Sequence, residues 1–109
     1  MLTARTPQEF SVELLMTEHK GRDSRWALTK EALDKWWNDP EALAEVAAVL
    51  NSAVIRVTEQ GNLDLQREYL NMLGEVMQMV KEHFRPDFQD YFGLRFVEYC
   101  DELENDFTE

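Results

Sequence analysis

Few residues of this chain have side chains suited to catalysis or metal binding. There are two histidines, His19 and His83, one cysteine, Cys100, and 22 acids. A carboxylate-bridged metal pair needs inward Glu residues and Glu-x-x-His pairs on neighbouring helices. Met16 stands three residues before His19, and Val80 three before His83, so neither histidine carries the motif. His-Glu-x-x-His is also missing. His83 and Asp87 are four apart, but Pro86 between them spoils a shared helical face. Each histidine therefore reads as a surface or cap-proximal residue. Cys100 sits among Glu98, Asp101 and Glu102. Those anions disfavour the thiolate, so it reads as a core or half-buried thiol. Ser11, Ser24 and Ser52 stand in no nucleophile context, and no glycine-rich phosphate loop occurs. No catalytic, cofactor-binding or metal-ligating residue is assigned. The alternative reading is a small helical enzyme, or a ligand or metal carrier, with a pocket between helices near His19, His83 or Cys100.

The acids point elsewhere. The formal net charge is −11, and no base follows Arg95. Glu98, Asp101, Glu102, Glu104, Asp106 and Glu109 fill that stretch. Glu98, Asp101 and Glu102 are spaced to share one helix face. Carboxylates about 5–6 Å apart on a rigid helix can imitate phosphates and occupy a basic groove. A solvated outer face is the plainer reading of the same run. The overall field repels phosphate, so direct binding to nucleic acid or to an anionic membrane surface is not expected. A protein partner with a basic surface is.

Trp36 and Trp37 are adjacent and about 100° apart around a helix, so one contact surface cannot swallow both. An exposed Trp beside Lys or Arg has the composition of a binding hot spot, and both also suit core packing. The partner-binding candidates are Glu98, Asp101, Glu102, Glu104, Asp106, Trp36 and Trp37. Lys20, Arg22 and Arg25 form a local basic cluster too small to outweigh the total charge.

Spacing predicts the elements that position these residues. Five helices are expected, near 7–20, 24–38, 40–60, 63–84 and 87–105. The fourth has Leu65, Tyr69, Met72, Val76, Val80 and Phe84 on one face. Leu70, Met77 and Met79 widen that face, so this helix is expected to be the central post. Thr6-Pro7-Gln8-Glu9 is a capping box, and Asp39-Pro40 and Asn62 or Asp64 start helices three and four. Asp23 or Ser24 would cap helix two, with Thr29 as a later start. The link at Gly61-Asn62 is so short that helices three and four are expected as an antiparallel hairpin about 30 Å long. Helix five has Phe88, Phe92, Phe96, Tyr99 and Leu103 on one face, read as core or as a self-association surface. Gly93 within it implies close packing.

The fold expected is all-α, a single helical domain over 1–109. One cysteine provides no disulfide framework, no signal-peptide pattern is visible, and the expected compartment is the cytoplasm. The function expected is a non-enzymatic acidic protein–protein interaction module, as an inhibitor, immunity factor, antitoxin, chaperone or adaptor. Nucleic-acid mimicry against a basic groove is its sharper form.

Overall fold

The computed structural model describes residues 6–108, and the side chains of residues 6–104. Five helices follow in order: α1 (Pro7–Thr17), α2 (Arg22–Trp36), α3 (Pro40–Glu59), α4 (Leu63–His83) and α5 (Pro86–Thr108). No strand occurs among the described residues. The architecture is all-α, as the spacing predicts. No described helix is long and apolar enough to cross a membrane.

Local chemistry sets the helix ends. The hydroxyl oxygen of Thr6 accepts from the Glu9 amide at 3.2 Å, and a carboxylate oxygen of Asp39 accepts from the Ala42 amide at 3.1 Å. Proline opens α1, α3 and α5, where the missing N–H would have no helical partner anyway. Between α3 and α4, Gly61 adopts φ +77°. Its amide donates to the Thr58 carbonyl at 3.0 Å, and the next amide, of Asn62, donates to the Val57 carbonyl at 2.9 Å. This paired closure of a helix end needs a left-handed residue, which glycine supplies without strain. The Asn62 side chain then accepts from the Leu65 amide and starts α4.

Three boundaries differ from expectation. α1 ends at Thr17, because the Lys20 amide folds back onto the Thr17 carbonyl in a tighter turn. α2 begins at Arg22, with Gly21 at its cap position and no side-chain cap, in place of Asp23 or Ser24. Gly21 has φ +143°, a conformation that L side chains rarely adopt, which suits glycine to this position. α5 runs on to Thr108, since neither glycine nor proline interrupts it after Gly93.

The centre of the fold is α3, not α4. Every other helix touches α3. Its residues are buried almost all round, among them Leu43, Val46, Ala47, Leu50, Ala53 and Val57. Small side chains explain this: Ala42, Ala44, Ala47 and Ala48 let neighbours approach from several directions. In α4 the expected second flank is open. Leu70 is exposed, and Leu73, Met77 and Met79 are only half-buried. One core joins all five helices, from Phe10 and Leu14 through Leu28 and Leu33, the α3 stripe, and Tyr69, Met72 and Val76, to Phe92.

Two glycines inside helices have no packing reason among the described residues. A Cβ added at Gly74 or at Gly93 would meet nothing within 4 Å. The close packing expected at Gly93 is therefore absent, because α5 turns Phe92 and Phe96 onto the core and leaves Gly93 on its flank. Replacing an interior helix glycine by alanine removes an entropy cost of about 0.5–1 kcal/mol. Gly74→Ala should raise Tm by a few degrees in a thermal melt, since α4 has room for the methyl group.

Candidate interaction surface

α5 has two faces. The inner one carries Phe92, Phe96, Tyr99 and Leu103 onto the core. The rings of Phe92 and Phe96 stack with centroids 6.2 Å apart. The aromatic side proposed for self-association is thus largely occupied inside the subunit. Phe88 is the exception: it is exposed, with the Arg85 guanidinium 5.0 Å from its ring centroid.

Where α5 crosses the first half of α3, carboxylates gather. One Glu41 carboxylate oxygen accepts from Arg95 Nη2 and from the Tyr99 hydroxyl, each at 3.1 Å. Arg95 Nη2 also donates to the Tyr99 hydroxyl oxygen at 2.8 Å, and Arg95 Nη1 pairs with Glu98. Arg95 is so the cation that holds Glu41 and Glu98 together. Glu45, one turn after Glu41, accepts from Gln8 Nε2 at 2.6 Å, which brings the start of α1 to the same place. Burial raises the pKa of Glu45, and repulsion from Glu102 and Glu41 raises it further. The neighbouring acids thus add to burial in opposing ionisation of Glu45, while Arg95 and Gln8 work against them.

Folding raises the proton affinity of Glu45, so its ionised form destabilises the fold at neutral pH, and the cost fades as pH falls through the raised pKa. Glu45→Gln keeps an oxygen that can accept from Gln8 and removes the charge. It should raise Tm at pH 7 by about 1–3 °C, a modest amount because solvent screens this face. The gain should shrink near pH 4, which melts at the two pH values would check.

The predicted acids divide around α5. Glu98 and Glu102 lean towards Glu41 and Glu45. Asp101 and Glu104 lie close enough to Cys100 to act on its thiol. Burial raises the Cys100 pKa first, and those two carboxylates add to it. The thiol accepts from Asn51 Nδ2 at 3.7 Å and stays half-buried. Glu98, Asp101, Glu102 and Glu104 are all exposed. Asp106 lies outside the residues whose side chains are described.

The tryptophans are not brought to the acids. Trp36 is 8% exposed and packs in the core, with Lys35 Nζ 5.5 Å from its ring centroid. Trp37 is 52% exposed and lines a cleft of about 290 Å³ with Pro40, Phe84, Arg85 and Phe88. Phe88 lies ten residues before Glu98, about 15 Å along α5. On α5 the aromatic cleft thus reaches only Phe88, a stretch before the predicted acids begin.

Sequence reasoning missed a buried ionic network. Glu18, at the end of α1, accepts from Arg56 Nη2 at 2.6 Å and from the Tyr69 hydroxyl at 2.8 Å through the same oxygen. Burial raises the Tyr69 pKa, and the hydrogen bond to Glu18 adds to it. Arg25 forks onto both oxygens of Glu68, with Nη2 to Oε1 at 2.9 Å, and donates Nη1 to the Glu18 carbonyl at 2.6 Å. Thr29 donates to the Arg25 carbonyl at 3.0 Å and lies 3.3 Å from Met72 Sδ. The network joins α1, α2, α3 and α4. It also splits the basic cluster read from Lys20, Arg22 and Arg25: Arg25 turns inward, while Lys20 and Arg22 stay exposed. One signal was available. Glu18 follows Phe10 and Leu14 at four-residue steps, so a carboxylate occupies the next place in an apolar line.

Surface grooves lie elsewhere. One of about 700 Å³ runs between α1 and α2, lined by Val12, Met16 and Leu28 together with Glu13 and Lys20. Another of about 690 Å³ lies between α2 and α4, lined by Trp26, Leu33, Gly74, Met79 and His83. Cys100 lines neither groove, and both histidines are exposed. Among the described residues, no three His, Cys, Asp or Glu side chains are grouped so as to hold a metal ion. No protein-family model, curated protein or solved structure matches the chain.

Proposed function

We propose that this chain is a non-enzymatic acidic interaction module of the cytoplasm that binds a protein through that protein's basic surface. Inhibitor, immunity, antitoxin, chaperone and adaptor roles share this mechanism. In the sharper form, carboxylates of α3 and α5 stand where phosphates would stand in the basic groove of a nucleic-acid-handling protein.

The crowding of Glu41, Glu45, Glu98 and Glu102 around Arg95 supports this reading. These carboxylates are carried by two helices packed along each other, so their spacing is held by the core and not by flexible chain. A partner's Lys or Arg would relieve the repulsion that raises the Glu45 pKa. Binding would then gain from charge already concentrated in the free protein.

The test is capture from lysate by the wild-type chain and by a triple variant, Glu98→Lys with Asp101→Lys and Glu102→Lys. Proteins with basic surfaces should be retained at about 0.1 M salt and released by about 0.5 M, as screening shortens the reach of the charges. The triple variant should not retain them. Retention that survives the reversal, or an empty wild-type capture at low salt, would count against the proposal.

A further inference from the structure

After covering the core, α5 still has an apolar outer face. Leu94 is 60% exposed and Val97 55%, and Tyr91, three residues before Leu94, is exposed too. Steps of three residues place these side chains along one ridge. Gly93 sits beside that ridge, and beyond its Cα there is open space. Nothing among the described residues explains a glycine here, where it weakens the helix. A bare position beside exposed leucine and valine is a notch into which another helix can bring its side chains or backbone. Asp90, Glu98, Asp101 and Glu104 are exposed on the same helix. Its one base after Pro86 is Arg95, which is bound to Glu41, Glu98 and Tyr99.

We propose that this outer face seats one amphipathic helix of a partner protein, its apolar stripe crossing Gly93 and its flanks carrying Lys and Arg. Charge selects the occupant. A second copy of this chain would bring Asp90, Glu98 and Asp101 against their own counterparts, with Arg95 already engaged. A helix with basic flanks meets the acids with opposite charge and covers the ridge with its stripe. From Tyr91 to Asp101 the seat is about 15 Å long, enough for some three turns of the bound helix. The inference rests on the reading that the partner is basic. It adds an apolar seam and names the bound element.

The experiment selects from a displayed library of helical peptides about 20 residues long on the full chain at physiological salt. The apolar stripe is randomised, and the flanks are either Lys/Arg or Asp/Glu. Peptides with basic flanks should be enriched. The best of them should bind about tenfold more weakly to Leu94→Asp and at least about threefold more weakly to Gly93→Leu. Its affinity for Leu63→Ala, which changes an exposed apolar residue at the start of α4, should match that for wild type. Leu94→Asp and Gly93→Leu, melted alongside, should unfold within a few degrees of wild type because both positions face solvent, which separates loss of binding from loss of fold. Equal enrichment of acidic and basic flanks overturns the seat. So does affinity that responds to Asp90→Lys and Asp101→Lys but not to Leu94→Asp or Gly93→Leu, since that is diffuse attraction without a seam. Self-association of the wild type by light scattering, abolished in Gly93→Leu, would make a second copy the occupant and also overturns it. Basic partners lost on charge reversal, with binding indifferent to Leu94 and Gly93, would leave the interaction module standing and remove only this seat.

Discussion

Arg25→Ala should lower the unfolding free energy by about 3–5 kcal/mol, a large part of what a domain of this size possesses. The reason lies in what the substitution leaves behind. Glu68 is buried, and both of its carboxylate oxygens are held by the Arg25 guanidinium. Without Arg25, a buried negative charge loses the cation that balances it. The Glu18 carbonyl also loses its donor at the end of α1, where a helix leaves carbonyls unpaired. Arg25→Lys should recover only a small part, because an ammonium cannot fork onto a carboxylate and reach a third acceptor as well. The paired replacement Arg25→Met with Glu68→Leu should be far milder than Arg25→Ala, within about 1–2 kcal/mol of wild type, because the cost of desolvating two charges disappears along with their attraction. Chemical denaturation of the four proteins gives a direct reading. If the double replacement were as damaging as Arg25→Ala, then packing of the guanidinium stem, and not the stranded carboxylate, would be the cause.

Local rules and tertiary packing left different marks on the sequence. Caps and turns are local, and Thr6, Asp39, Asn62, Pro7, Pro40 and Gly61 do in the structure what their types imply. Their partners lie within five residues, so nothing distant can overrule them. Which helix stands in the middle is not local. α4 has a strong one-sided stripe, and α3 is rich in alanine, which carries little hydrophobic weight in a periodicity argument. Yet it is small side chains that admit neighbours on several sides. The ionic network was hidden for a related reason. Glu18, Arg25, Arg56 and Glu68 are 7 to 50 residues apart and belong to four segments, so no window of sequence shows them facing one another. Of the candidate site, the adjacency of Trp36 and Trp37 was legible, since 100° of helix rotation must separate their environments. The meeting of Glu45 with Glu102 was not, because it depends on how α5 crosses α3.

The place of α3 at the centre has a consequence that separates it from α4 by experiment. Leu50 and Leu70 both lie mid-helix, and both belong to apolar runs. Leu50 is fully buried, whereas Leu70 is 47% exposed. Leu50→Ala removes three carbons from a position surrounded by core side chains, and α3 cannot shift to fill the gap without moving the helices packed on it. A loss of about 3–4 kcal/mol is expected, combining lost burial with the cavity left behind. Leu70→Ala removes the same atoms from a half-solvated site and gains helix propensity in return. Its effect should stay within about 0.5–1 kcal/mol. The ratio of the two, measured under one set of denaturant conditions, reports directly on which helix is enclosed. Were α4 the post that its stripe implies, the two losses would be alike. A Leu70→Ala loss above about 2 kcal/mol would place an unrecognised layer over α4 and move the centre of the fold away from α3.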